Sequence, residues 1–416
     1  MSKATKLFAS STKTKGDHLN REGYPSYFRS IEEQTLAVLL TNTLSNTFYV
    51  SQKELLAETL DVLKSMLAKD ESFLARAVIY ARNEGLMRLA PLVGLVVLSQ
   101  CKDKSLFKSA FKATVKTPDD LREFVTICRS GEIRKGLGGV ALDTTKQWMR
   151  HMSEYHAVKY GSAASEGITL RDILRMSHPT PKTETQRELW GWLVKGWENV
   201  GTDPSPSNPM VWALETVKRS TDEKEIIRLT NEYKLPWEVV VPSVKKMTPG
   251  IWKALLETMP YMAMLRNLAT MERHGVFKDA TVVKSTASRL SDPKAVANSK
   301  QLPFRFYNAY QAYEGNQKVR EALVAALEES FVSMPEIPGM VCIANDVSGS
   351  MGGLVSDKSK ARYCDIAGIF GAALLKKSAD TILLPCDTEI MRIKVSRADS
   401  IMTTAEKIGL AQGGTD

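Results

Sequence analysis

Apolar residues recur at three- and four-residue spacing along most of the first 335 positions, and nowhere there in strict alternation. The segment 52–69, QKELLAETLDVLKSMLAK, shows the pattern clearly, and 72–83 and 317–331 repeat it. A further amphipathic segment opens at Ile31, and others cover 119–129, 186–198, 211–218, 251–259 and 261–273. Thr117-Pro118 and Thr248-Pro249 each place a capping side chain before a proline, which is a helix start. About sixteen helices joined by short Gly, Pro and Asn turns predict a mainly α protein, an α-solenoid of stacked helix pairs. No clean sequence period is visible, so any repeats have diverged.

The pattern changes across the proline-rich stretch 335–339. Beyond it the expected order is a strand at 340–344, a helix over 359–377, a strand at 381–386, a short strand near 390–395 and a helix near 398–408. That is the first part of a doubly wound, Rossmann-type α/β domain. Three regions follow: a flexible basic tail over 1–24, a helical-repeat domain over 25–335 and a partial α/β domain over 336–416.

Composition narrows the function classes. The longest apolar run, 89–98, is too short to span a membrane, and the basic N-terminus has no apolar signal core, so a cytoplasmic protein is expected. The five cysteines are scattered without a Cys-x-x-Cys pair, which predicts buried reduced thiols rather than a zinc or disulfide scaffold. The net charge of +9 is uneven: residues 336–416 hold nine bases against ten acids, so the whole excess sits on the helical part. A basic helical domain points to a polyanion such as RNA, with the alternative of a basic surface that binds no anion.

Three constellations carry candidate chemistry. Asp346, Ser348 and Ser350 follow an apolar strand, and Thr415 lies downstream in Gly413-Gly414-Thr415. A carboxylate and hydroxyls around a tight turn at a strand's C-terminal edge are the hard oxygen ligands that Mg²⁺ or another divalent cation prefers. In the second, TLRDILRMSHPTP (169–181), Arg171, Arg175 and His178 share one helical face opposite Leu170, Ile173, Leu174 and Ser177. Two guanidiniums and an imidazole in line can grip phosphates or stack on a base; a solvated helix face is the plainer reading. The third is Ile133-Arg134-Lys135-Gly136-Leu137-Gly138-Gly139, a basic Gly-rich stretch before a helix, open to readings as a backbone-phosphate contact or an ordinary loop. It is not a Walker A loop, because the lysine precedes the glycines. Aromatics near bases, including Trp148, Trp190, Trp192, Trp197, Phe304 and Tyr307, read mainly as core.

These blocks together resemble the Ro autoantigen (TROVE-module) family. The stretches that carry the likeness are 46–58, the Gly-rich segment before Trp148, 169–181, 251–271 (IWKALLETMPYMAMLRNLATM), 302–314, 343–351 (IANDVSGSM) and 412–416. The resemblance implies HEAT-like helix pairs closed into a monomeric ring by a von Willebrand A-like domain. It implies an outer surface for small structured noncoding, Y-like RNA and a central hole for the single-stranded 3′ ends of misfolded RNA. The expected role is noncoding RNA quality control, without catalysis and in some members with an exoribonuclease partner. His178 and Lys159 match family positions at the Y RNA surface, whereas the loop 161–167 lacks a further basic residue found there. In the family the A-like domain continues past Gly-Gly-Thr with more strands and another metal-site Asp. A truncated domain is therefore expected here, poorly folded or paired with another chain at its open strand edges.

Two other function classes fit parts of the chain. One is an α-solenoid adaptor whose metal-dependent adhesion domain captures an acidic side chain. The other is a metal-assisted hydrolase at Asp346, which the lack of any His or carboxylate pair over 346–353 argues against.

Overall fold

The structure, a computed structural model, describes residues 16–19, 23, 25–41, 44, 51–161, 167–197, 207–332, 334, 336–356 and 359–409. The chain packs as two units, 1–212 and 213–416.

The first unit opens with a two-residue antiparallel pair, β1 (His18–Leu19) and β2 (Pro25–Ser26), where the sequence pattern predicts only a tail. Among the described residues ten helices follow: α1 (Ile31–Thr41), α2 (Gln52–Lys69), α3 (Glu71–Asn83), α4 (Leu89–Leu98), α5 (Lys104–Thr114), α6 (Pro118–Arg129), α7 (Gly139–Arg150), α8 (Glu154–Gly161), α9 (Leu170–Ser177) and α10 (Glu184–Lys195). Many pack against the helix one or two places along the chain, the pattern of a solenoid. The apolar run 89–98 becomes α4, buried on every side except at Leu89. A Cβ at Gly94 would stand 2.8 Å from Val78 Cγ2 and 3.2 Å from Leu39 Cδ2, so the missing side chain lets α4 sit tight against α3 and α1.

Helix starts follow the capping chemistry. Ser51, Thr117 and Thr169 each accept the N–H of the residue three places on, whose carboxylate takes the cap's own N–H in return. The Thr117 box does more than begin a helix. Asp120 in it is 1% exposed and accepts N–H from Lys116, Thr117 and the Arg82 guanidinium, the last at 2.9 Å. Arg82 also donates to Thr114 O at 3.1 Å, so one buried pair joins α3 to the turn between α5 and α6.

In the second unit, α11 (Pro209–Arg219) crosses the boundary and α12 (Glu223–Glu232), α13 (Trp237–Ser243), α14 (Pro249–Thr258), α15 (Tyr261–Arg273), α16 (Ala280–Ser291), α17 (Pro293–Ser299), α18 (Pro303–Ala312) and α19 (Gln317–Glu329) follow. Then come β3 (Met340–Asp346), α20 (Tyr363–Lys377), β4 (Asp380–Cys386) and α21 (Ile401–Gly409). The two strands are parallel in register Met340↔Asp380 to Asp346↔Cys386, with α20 as the crossover. This partial α/β segment is seated on the helices before it. Glu328 of α19 accepts N–H from Lys376 at 2.7 Å and from Ile401 at the start of α21. Ser359 Oγ donates to Asn308 Oδ1 at 3.1 Å, and Phe331 meets Phe370 edge-on at 5.8 Å.

The short strand expected near 390–395 is absent; Ile390 makes one isolated bridge to Cys386. The apolar and polar residues do alternate there, but beyond that bridge no described backbone offers a ladder partner. The thiols also differ from expectation. All are free, and Cys101, Cys128 and Cys364 are buried, but Cys342 is exposed because β3 buries only its Ile343 and Asn345 side. No described helix is long and apolar enough to cross a membrane.

We predict that Asp120→Ala, which strands the Arg82 guanidinium against buried carbonyls, destabilises the protein by about 3–5 kcal/mol. Urea unfolding of wild type and variant measures it; a loss under about 1 kcal/mol would assign the α3–α6 junction to apolar packing alone.

Candidate nucleic-acid interface and cation site

α9 is a short helix with a sharp beginning and end. Thr169 caps it, and the Asp172 carboxyl is held below its ordinary range, first by the Thr169 hydroxyl and amide and then by Arg175 and Arg171. Leu170, Ile173, Leu174 and Ser177 are buried among α6, α7, α8 and α10. His178 ends the helix in the left-handed region (φ 45°, ψ 54°), its N–H donating to Leu174 O at 3.0 Å. The burial of one face leaves Arg171, Arg175 and His178 exposed in line on the other. Arg171 Nε donates to Leu193 O at 3.3 Å near the end of α10, which steadies one guanidinium and leaves its other N–H groups outward.

The basic residues of the Gly-rich loop divide their roles. Arg134 donates to Gly136 O at 2.8 Å, Gly138 O at 2.8 Å and Ser99 Oγ at 2.7 Å, so its guanidinium orders the loop. Lys135 beside it is exposed. Behind the loop, burial pushes the Cys128 thiol up to about 12 against the Arg134 charge, which makes it an inert core group.

Lys159 lies on α8 within an aromatic cluster, its ammonium 5.8 Å from the Tyr155 ring centre and 5.6 Å from that of Tyr160. His156 lies between, 6.3 Å from Trp148 of α7 and 6.4 Å from Tyr160. Burial first, and the Lys159 charge second, hold the His156 imidazole below its ordinary value. Arg150 in the last turn of α7 donates to Thr180 O at 3.2 Å, just past His178. The end of α7 therefore touches both the Lys159 cluster and the His178 segment. Trp190 and Trp192, by contrast, are buried, as are Phe306 and Tyr307.

At the C-terminal edge of β3, Ser348 N–H donates to Asp346 Oδ1 at 2.9 Å, and the Ser348 and Ser350 hydroxyls are 3.2 Å apart. Two adjacent corners of an Mg²⁺ octahedron, with oxygens about 2.1 Å from the ion, stand about 3 Å apart. The two hydroxyls stand at about that spacing; Thr415 lies outside the described residues, as do 162–166 of the loop compared above.

Residues 228–339 match the TROVE domain. The chain is 26% identical to RNA-binding protein RO60 of Caenorhabditis elegans over 58% of its own length and 47% of that protein's. A crystal structure of the Deinococcus radiodurans RO (RSR) protein has the same fold, with TM-score 0.71 and 18% identity over 93% of this chain and 80% of that one. The chain is thus similar to Ro proteins in its TROVE match, in sequence and in fold. It spans about half the length of the RO60 relative, and a 74-residue stretch is 35% identical to telomerase protein component 1 of Mus musculus, covering 17% of this chain and 3% of that protein.

A further basic feature of the chain is legible in the sequence. KSLFKSAFKATVK (104–116) places Lys104, Lys108, Lys112 and Lys116 at four-residue steps, and all four are exposed along and just beyond α5. Lys104 donates to Ser99 O and Cys101 O, and Lys116 to Asn83 Oδ1. Lys108 and Lys112 make no hydrogen bond or ion pair among the described residues.

Because the folded His156 pKa lies below the ordinary 6.5, the unfolded chain takes up this proton first as pH falls. Stability contributed through His156 is thus intact above the ordinary value and declines as pH drops below it, levelling off under the folded pKa. We expect an NMR titration to place the His156 midpoint below 6.5, and His156→Phe to flatten the acid side of the stability curve; a midpoint above 6.5 would contradict the burial argument.

Proposed function

We propose that this chain is an RNA-binding, non-enzymatic Ro-type protein. The observation that carries the reading is the exposed Arg171–Arg175–His178 line, built by a capping box at one end and a left-handed His178 at the other. Guanidiniums one helical turn apart, about 6 Å along the axis, suit successive phosphates of a strand or groove edge. The RO60 relative is named as an RNA-binding protein, and the basic excess of the helical part is the long-range attraction such binding needs. Lys135 and Lys159 extend the basic surface, with Tyr155 and Tyr160 as aromatic faces beside Lys159.

The partners proposed are those the family resemblance implies: small structured Y-like noncoding RNA, single-stranded 3′ ends of misfolded RNA, and an exoribonuclease working with the protein in RNA quality control. The mode of binding follows from the groups on α9. Arginines that release counterions from phosphates give affinity with little sequence demand and a steep salt dependence. The Asp346–Ser348–Ser350 turn is proposed as a Mg²⁺ site of the adhesion kind, Asp346 and the two hydroxyls holding the ion. A bound cation would supply an open coordination position for an outside carboxylate, which also keeps the adaptor reading in view.

We expect a duplex RNA with a single-stranded 3′ tail to bind the full chain. Arg175→Ala should weaken it for all sequences and lower the salt slope by about 1. His178→Ala should weaken binding with less change in slope. Fluorescence anisotropy across a salt series reads both, and failure to bind even at the lowest salt would overturn the proposal. For the cation site, calorimetric titration with Mg²⁺ should show binding that Asp346→Ala abolishes; equal heats for both proteins would remove the site.

A further inference from the structure

A cavity of about 660 Å³ opens between α5 and α7. Phe111, Val115 and Thr144, all buried, form its floor, and Trp148 forms a wall. The Trp148 indole N–H donates to Val115 O at 3.0 Å, which ties α7 to the end of α5 and fixes the ring. The mouth carries Lys108 and Lys112, with Gln147 and His151 opposite.

The lining contains two lysines and no acidic residue. The contrast with a second cavity of the same unit, about 540 Å³, is instructive. There Asp119 and Glu123 face Arg88 and Arg122, so the wall neutralises itself, with Arg122 and Asp119 paired at 3.1 Å. The α5–α7 cavity keeps its charge, because neither Lys108 nor Lys112 has a hydrogen bond or ion pair among the described residues. Its two lysines lie four residues apart on α5, one helical turn, with Trp148 in the same lining.

Hydrogen-bonding groups at the mouth are specific as well. His151 Nδ1 lies 2.7 Å from Gln147 O, a carbonyl that can only accept, so this nitrogen carries the proton. Nε2 of a neutral ring accepts and that of a protonated ring donates, and the Gln147 side chain offers both a donor and an acceptor. An anion with a flat, edge-bonding ring matches all of these: cations at the rim, an indole beside the floor, and polar groups at the edge.

We propose that this cavity is a nucleotide pocket that takes one unpaired base of the bound RNA, with the flanking phosphates on Lys108 and Lys112. The proposal rests on the RNA-binding reading and places a second contact on it. Continuity supports RNA as the source of the nucleotide. Trp148 is a wall of the cavity and also neighbours His156, which leads to Tyr160 and Lys159. Arg150, two residues on, holds the carbonyl of Thr180 beside His178. A strand crossing the end of α7 would thus pass from the basic faces of α8 and α9 to the cavity mouth. The base enters as a stacking partner, which tolerates any sequence, and the lysines fix the backbone.

The test uses the full chain and two RNAs of one duplex sequence, one blunt and one with a 3′ oligouridine tail holding a single 4-thiouridine. The tailed RNA should bind roughly ten-fold tighter, the value of about one stacked base. Ultraviolet cross-linking should attach the thiouridine within 108–115 or 147–151, read by peptide mass spectrometry. The exposed pair change Lys108→Glu with Lys112→Glu should erase the tail's advantage while blunt binding persists, and Gln147→Ala should reduce it several-fold. Circular dichroism checks that both variants fold. Binding of both RNAs with cross-links elsewhere, or an equal loss for blunt and tailed RNA in the lysine variant, would overturn the pocket and leave the RNA reading standing. Absence of binding by either RNA at low salt would overturn both.

Discussion

A single buried carboxylate sets the geometry on which the basic surface of the first unit depends. Asp120 gathers the Arg82 guanidinium and the amides of Lys116 and Thr117, so α3, the end of α5 and the start of α6 share one anchor. Removing the carboxylate alone would leave the largely buried Arg82 guanidinium with the Thr114 carbonyl and no counter-charge, so the junction depends on Asp120. Its consequence lies on the opposite side of α5. With the buried side fixed by Phe107, Ala110 and Phe111, the lysines at four-residue spacing have no direction left but outward.

Elsewhere in the molecule the cationic groups sort themselves by what their N–H groups already hold. Arg134, Arg150 and Arg289 donate to backbone carbonyls that loops and helix ends would otherwise leave unsatisfied. Arg175, Lys108, Lys112 and Lys135 project outward from the surface instead. The distinction is physical: a guanidinium with three internal acceptors orders the chain around it, whereas an exposed one contributes its charge to whatever approaches. The basic excess of the composition becomes a directed surface only after this division.

The α/β segment owes its placement to the same economy. Glu328 answers both the Lys376 ammonium and the N-terminal amide of α21, so a helix of the solenoid part supplies the anchor for the strand–helix–strand segment. The turn after β3 is thereby held as a small cluster of oxygens in which the Asp346 carboxylate organises Ser348 and Ser348 faces Ser350. The motif was plain in the sequence, because its residues are consecutive and the geometry of a strand end does the rest.

Much else was legible for the same local reason. Helices with a 3.6-residue apolar stripe and a capping residue, such as α2, α6 and α15, stand within a residue or so of where the pattern puts them, since their information lies within one or two turns. The line of Arg171, Arg175 and His178 was readable because four-residue spacing fixes a common face wherever the helix lies. The strand near 390–395 was misread because alternation specifies a face and not a hydrogen-bonding neighbour. Nothing in the sequence distinguished Arg134 from Lys135, or joined Lys108 to Trp148 across forty intervening positions. The sequence by itself determined the helices, their buried stripes and the oxygen-rich turn, because those depend on contacts between near neighbours. Only the tertiary structure decided which charges are satisfied internally and which cavity keeps a net charge, because those depend on acceptors brought in from distant segments.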